Sequence, residues 1–569
     1  MDTRQHHRLA ALGVALALCA CTAREEPEPV SEPEAASPAL AESRAGEAES
    51  AGLVGTEVSA ATVEVTDEGP AAPIVVFTAG LKGYTEPCGC TLDLVLGGID
   101  RVVGVRRALD ELAPATLALD AGNLLFEHAD VAAHHVEQET RKLDVIVDAM
   151  RAMGTRATTP GPTDLALGLD VYTRTLARAD VDILSANLTI SGAPVGIASA
   201  TYALGDEEVG VIGVASAEAF PGTAGAEVEP PLTAVARALG DLEAASVVIV
   251  LFQGTLEQAR TELAGVAGVD FIVLGQPRET DEVETIGSGK TLEAYDQGRY
   301  LGRLKLLRTP DVEETGAWEN ARGASESELE RIDRVISRTE AQLATLPALD
   351  ESTGAPPPIV ASLQERVRSL ESERAALLSA GTTWEGAARI FHYEPLALVP
   401  GYPADEAITA SMRDYNGALR AIAARNAPAP IPAAEGHPRY VGEAVCATCH
   451  PLEHQFWLTT SHAHAIDTLV EREKDYDQSC VGCHVTGYEL PGGSALASRE
   501  GLENVQCETC HGPGEFHAQN PTQWVNVPLG VQTGAPESGC VSCHNEEHST
   551  TFEYTSYLAR VIGPGHGQD

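Results

Sequence analysis

The motif Cys-x-x-Cys-His occurs four times in the last quarter of the chain, at 446–450, 480–484, 507–511 and 540–544. No other feature constrains the fold as strongly, because the backbone there must wrap around whatever these side chains bind. Two thiols at that spacing suit two thioether bonds to one porphyrin, and the adjacent His reaches the iron from one face. Paired Cys-x-x-Cys units also build zinc ribbons, so zinc is the competing reading. The fifth residue separates the two. His makes up only 17 of 569 residues, yet it follows all four pairs, and a zinc ribbon has no reason for that rule. Cys446, Cys449, Cys480, Cys483, Cys507, Cys510, Cys540 and Cys543 are therefore the expected attachment points of four haems c. His450, His484, His511 and His544 are their expected proximal ligands.

From residue 440 onward there is no Met and only one Lys, Lys474, whereas His454, His462, His464, His517, His548 and His566 are all present. Without a Met ligand to raise potential, the expectation is bis-histidine iron acting as a low-potential electron carrier. His454, His517 and His548 follow a proximal His by four, six and four residues, too close in the chain to reach the opposite face of the same porphyrin. Each would serve a neighbouring haem. Such cross-ligation would knit a segment of this size around its porphyrins rather than around side chains.

Export agrees with this reading, since covalent haem attachment is completed in an oxidising compartment in bacteria. Basic residues precede an apolar run, 9–20, which is too short to span a bilayer. The run closes on Leu18-Cys19-Ala20-Cys21, which resembles a bacterial lipobox with Cys21 as the lipid acceptor; the bland alternative is a plain secretory signal. Residues 22–72 hold twelve acids against two bases and read as a solvated tether. No later stretch is long and apolar enough for a membrane span, so membrane contact is expected only through Cys21. The expected location is periplasmic or anchored to the outer membrane. Lys plus Arg total 38 against 83 Asp plus Glu, a net charge of −45, which argues against nucleic acid or an anionic lipid surface as the main partner.

Between 73 and 309, apolar runs of strand length alternate with helical patterns: 74–78, 116–120, 181–187, 209–214, 246–252 and 270–275. The pattern predicts an α/β layered domain. Residues 310–426 predict a helical hairpin, with apolar positions running from Leu329 to Leu346 and again from Leu363 to Leu377. A strand near 389–398 and a helix near 405–425 close it. A Pro-rich linker, 427–438, leads to the Cys-x-x-Cys-His segment at 439–569, expected to be mostly helical and irregular. Just after the first strand stands Glu86-Pro87-Cys88-Gly89-Cys90, near the strand ends where such sheets place their sites. Cys88 and Cys90 are a candidate redox pair, a soft-metal site, or a structural link in an exported protein.

Two resemblances follow. The phrases Cys446-Ala-Thr-Cys449-His450, Ser461-His462-Ala463-His464, Cys507-Glu-Thr-Cys510-His511-Gly-Pro-Gly514 with His517, and Cys543-His544-Asn-Glu-Glu-His548 resemble the tetrahaem cytochrome c-552/c-554 family over 439–553. That resemblance implies His462 or His464, His517 and His548 as distal ligands, and members can keep one haem five-coordinate. In the body, Leu184-Ser-Ala-Asn187, Val250-Leu-Phe-Gln253-Gly254, 268–275 and 298–304 resemble the calcineurin-like metallophosphatase domain of bacterial 5'-nucleotidases. Its metal ligands do not carry over. Gly80-Leu-Lys82 stands for Asp-x-His, Asn123 for the second Asp of Asp-x-Gly-Asp, and Gly161-Pro162-Thr163 for Gly-Asn-His. Gln253 replaces a single His, and Gly275-Gln276-Pro277-Arg278 replaces Gly-His-x-His. A two-metal hydrolase needs those ligands. The expected function is electron transfer by an exported multihaem cytochrome, to a redox protein partner that the sequence does not name, with an inactive phosphatase-like domain. The alternatives are reduction of a small substrate at a haem or at Cys88/Cys90, and a working nucleotidase fused to a cytochrome.

Overall fold

Apolar strands bracketed by amphipathic helices dictate a sheet buried on both faces, and the body has two such sheets. The computed structural model describes residues 63–66, 70–87, 96–277, 282–308, 317–321, 326–345, 358–380, 388–545, 548–549, 552–563 and 566. The export signal, Cys21, most of the tether, Cys88 and Cys90 lie outside the described residues.

The first sheet has seven strands in the order Glu319–Asn320, Arg389–Ala397, Tyr300–Arg308, Ile74–Thr78, Thr116–Asp120, Thr155–Thr158, Asp182–Ile183. Ile74–Thr78 runs parallel to Thr116–Asp120 and antiparallel to Tyr300–Arg308. The second sheet has six: Thr285–Ile286, Gly289–Glu293, Phe271–Leu274, Val247–Gln253, Glu207–Ala215, Ser199–Leu204. The side-chain period of two sorts each strand into faces. Val75, Phe77, Leu117 and Leu119 meet Val211, Ile249, Leu251 and Phe271 between the sheets. Ile74, Val76 and Ala118 face outward onto the helices Ile99–Leu112 and Val136–Met153. On the far side Ile212, Val214, Val250 and Phe252 meet the helices Pro231–Ala238 and Leu256–Glu262. The result is a four-layer α/β/β/α body. Gly302 makes room within the first sheet for its cross-strand neighbour, since a Cβ there would lie 2.4 Å from the Phe77 ring.

The strand Arg389–Ala397 pairs with Tyr300–Arg308 along nine residues, from Tyr300–Ala397 to Arg308–Arg389. The helix Glu406–Asn426 packs on the helices Val136–Met153 and Ile99–Leu112. Strand and helix are thus part of the layered body, and only the hairpin Glu326–Thr345 with Pro358–Ala380 is an insertion into it. At the other end, Val63 donates its N–H to Gly401 O at 2.8 Å and Val65 is buried, so the body begins before residue 73. In both places long-range pairing, invisible to local pattern, sets the boundary.

After the linker the chain changes character. It forms short helices and turns, with a small buried core of Ile466, Leu469, Val481, Val485 and Leu496 against Ala423 of the body. No described helix is long and apolar enough to cross a membrane.

Candidate functional site

Each Cys-x-x-Cys-His motif opens on a helical turn: Glu443–Cys446, Gln478–His484, Cys507–His511 and Glu537–Cys540. A helical turn stacks residues i and i+3 on one face, which puts both thiols of a motif on the same side. The helix Cys507–His511 packs on both Glu443–Cys446 and Glu537–Cys540. The Cys446 thiol meets Cys507, and the Cys543 thiol meets Cys483. The four motifs therefore form one cluster.

The four motif histidines share a further trait. His450 Nδ1 lies 3.5 Å from Glu453 Oε1, His511 Nδ1 lies 2.6 Å from Gln532 O, and His544 Nδ1 lies 3.4 Å from Ser549 Oγ. His484 Nδ1 meets the carbonyl of Ala465. At His484 and His511 the carbonyl on Nδ1 requires the Nδ1–H tautomer and leaves Nε2 as the metal-facing nitrogen, the arrangement that metal-bound imidazoles adopt.

Three of these rings face a second imidazole. His450 and His517 have centroids 6.1 Å apart, His544 and His462 6.2 Å, and His511 and His566 6.4 Å. Two imidazoles ligating one metal from opposite sides, each with a bond of about 2.0 Å, have ring centres roughly 6.3 Å apart. The residues present thus fit an axially ligated haem iron. His517 adds an orphaned polar atom, since its Nδ1 is buried with no hydrogen-bond partner.

The remaining histidines lie elsewhere. His464 uses both ring nitrogens, Nδ1 on Asp467 at 3.3 Å and Nε2 on the carbonyl of Leu458 at 3.2 Å, and its ring faces no motif histidine. His548 lies 6.4 Å from the Tyr84 ring of the body. His454 meets Glu443 and Trp457. Of the distal candidates read from the sequence, His517 and His462 stand opposed to motif histidines; His464 is engaged by Asp467 and Leu458, and His548 lies beside Tyr84. His566 takes a place that sequence reasoning left unassigned; it lies 22 residues beyond the last motif, with no motif of its own to mark it. Among the described residues, no ring contact sets a second imidazole against His484.

Buried charges hold the cluster in register. Glu508, inside the third motif, accepts N–H donors from Val441, Gly442 and Gly514 at 2.6–3.0 Å. Burial pushes its carboxyl up while these donors oppose the shift. The second motif is bolted to the body. Asp477 caps its helix by accepting from Ser479 N, and also accepts from Gln138 Nε2 at 2.8 Å, while Gln478 N donates to Gln138 Oε1. The segment's one lysine, Lys474, is buried 3.4 Å from Asp477 and 3.5 Å from Glu86 of the body. Burial alone would depress the ammonium, but the charges of Asp477 and Glu86 outweigh it and raise it.

The strand ends of the body show the opposite arrangement. Asp120 is buried and accepts from Thr78 Oγ1 at 2.7 Å, Thr158 Oγ1 at 2.6 Å and Gly122 N at 2.9 Å. Burial pushes its carboxyl up to about 6, against these donors. Asp164 accepts four backbone N–H groups, from Asn123, Leu124, Leu125 and Gly161, at 2.7–3.0 Å. Asn123 Oδ1 accepts from Thr163, and Lys82 pairs with Asp296 at 3.0 Å. Gln253 is packed so tightly under Gly275 that a Cβ there would lie 2.2 Å from its Oε1; its amide is buried without a partner. No group of three or more metal-ligating side chains forms here among the described residues.

Comparison with known proteins finds a family match and several similar solved structures. Residues 445–512 match the family model for cytochrome c554 and c-prime. The C-terminal segment is similar to cytochrome c-554 proteins. It is 40% identical over 91 residues to cytochrome c-554 of Nitrosomonas europaea, a match spanning 13% of this chain and 39% of the relative. A domain of this family implies haem c and a c-type cytochrome role in electron transfer. Solved structures similar to the chain include a 5'-nucleotidase precursor from Thermus thermophilus, with TM-score 0.41 and 16% identity over 62% of this chain and 59% of that one. A calcineurin-like phosphoesterase from Bacillus subtilis has TM-score 0.40 and 15% identity over 62% and 99%.

Proposed function

We propose that the chain is an exported tetrahaem c-type cytochrome that passes single electrons between a donor and an acceptor protein, with the layered body as docking scaffold. The observation that carries this reading is the set of three imidazole pairs at 6.1–6.4 Å, beside four motif histidines whose Nδ1 atoms are all engaged. The cysteine pairs 446/449, 480/483, 507/510 and 540/543 would hold the porphyrins. His450 with His517, His544 with His462 and His511 with His566 would close three irons, each pair joining distant parts of the segment. Bound haem supplies a one-electron couple. The protein's part is to orient the imidazoles through the Nδ1 partners and to hold the cluster against the body through Asp477 and Lys474.

His484 supports a second reading. With no imidazole opposite it among the described residues, its iron would keep an open position, where a small substrate could bind and be reduced. Hydrolysis by the body is disfavoured, since Asp120 and Asp164 are occupied by protein donors and the imidazoles of a two-metal site are absent from the matched positions. Lipidation of Cys21 remains the proposed membrane contact.

Two measurements on protein from a haem-maturing host test this. A pyridine haemochrome assay should give four haems per chain, and carbon monoxide added to the reduced protein should perturb one of the four. Two haems or fewer would refute the assignment of the motifs. No carbon monoxide response would remove the open position, and with it the substrate-reducing reading.

A further inference from the structure

Away from the haem segment's cysteines, one cluster has no role in the function above. His134 and His135 stand just ahead of the helix Val136–Met153 of the body, and Glu489 belongs to the loop after the second haem motif. One donor atom from each lies within 4.8 Å of the other two. His134 Nε2 is 3.2 Å from Glu489 Oε1, and the two imidazoles meet edge-on with centroids 4.2 Å apart.

Three observations separate this cluster from an ordinary surface ion pair. His135 Nε2 is buried with no hydrogen-bond partner, a state that ordinarily costs roughly 1–3 kcal/mol and needs a reason. The contact between His134 and Glu489 joins residues 355 positions apart in the chain, so the cluster is assembled by the fold rather than by local sequence. Glu489 adopts a left-handed backbone, φ 53, uncommon outside glycine, and it is this residue that turns its carboxylate toward His134.

We propose that His134, His135 and Glu489 form a binding site for a borderline divalent cation of the zinc class, contributed by both halves of the protein. Two imidazole nitrogens and one carboxylate oxygen are the donor set that such ions select over magnesium or calcium, and solvent fills the fourth position. The ion would tie the loop after the second haem motif to the body, a few residues from the Gln138–Asp477 bond that already joins them.

The test uses the full-length, haem-loaded protein stripped with a chelator, dialysed against micromolar zinc chloride and analysed for bound metal. Wild type should retain one zinc per chain more than His135→Ala or Glu489→Gln, while His437→Ala, in the linker, should match wild type. X-ray absorption at the zinc edge of the wild type should show nitrogen and oxygen neighbours at about 2.0–2.2 Å and no sulfur. Equal zinc in all four proteins, or a sulfur shell, would overturn the site; the absorption result stands even if a variant fails to fold.

Discussion

The two halves of this chain treat polar side chains in opposite ways. At the strand ends of the body, Asp120 and Asp164 are saturated by hydroxyl and backbone donors, and Lys82 is paired with Asp296. In the cytochrome segment, the second nitrogen of each motif imidazole is occupied by the protein while three rings face another imidazole across about 6 Å. A group that has become structural is surrounded by the protein's own donors. A group kept for a ligand is oriented but left with one atom to spend.

That contrast can be broken most forcefully at Asp164. If it is structural, Asp164→Ala strands four buried N–H groups and should destabilise the body by about 3–5 kcal/mol, read as a urea midpoint. A silent substitution would return the site to functional candidacy. Lys474→Met should cost a similar amount or slightly less, about 3 kcal/mol, by removing the buried cation that neutralises Asp477 and Glu86; its signature is loosening of the second motif, detected as a change at a single haem. Glu508→Gln should cost about 1–3 kcal/mol, because a neutral amide accepts the three loop N–H groups less well.

A smaller effect comes from pH. The folded-state carboxyl of Asp120 is pushed up to about 6 from roughly 4 in an unfolded chain. Between those values the native protein holds a proton that the unfolded chain has released, so raising the pH from about 4 to about 6 lowers stability. The stability difference between wild type and Asp120→Asn should therefore shift against wild type over that interval and level off above it; a shift in its favour would mean the carboxylate is stabilised by its donors. Smallest of all, Arg425→Ala removes an exposed pair with Glu137 and should leave the melting temperature within error.

Much of this was legible beforehand, for identifiable reasons. The runs 74–78 and 116–120 are strands as read, and the hairpin pattern from Leu329 to Leu377 appears as Glu326–Thr345 and Pro358–Ala380. Their signal is local: an apolar run for a doubly covered strand, a 3.6-residue period for a helix. The strand expected at 181–187 shrinks to Asp182–Ile183: Leu184 N still donates to Thr158 O at 2.8 Å, but Leu184 also bridges Ile197, and the pairing ends there. Membership of Arg389–Ala397 in the first sheet rests on pairing with a strand some eighty residues earlier, beyond the reach of local pattern. The same limit acts in the haem segment. The motif histidines are written into a five-residue pattern, but an opposing imidazole is set by three-dimensional proximity, so nothing in the sequence marks His566, and His464, two residues from His462, reads as its equivalent.

The most direct test of the account is electron paramagnetic resonance of the oxidised, haem-loaded protein beside its single His→Ala variants at 462, 464, 517, 548 and 566. The account predicts three low-spin irons and one high-spin iron in wild type, one further high-spin iron in each of His462→Ala, His517→Ala and His566→Ala, and an unchanged spectrum in His464→Ala and His548→Ala. A new high-spin iron in His464→Ala, or none in His566→Ala, would contradict it.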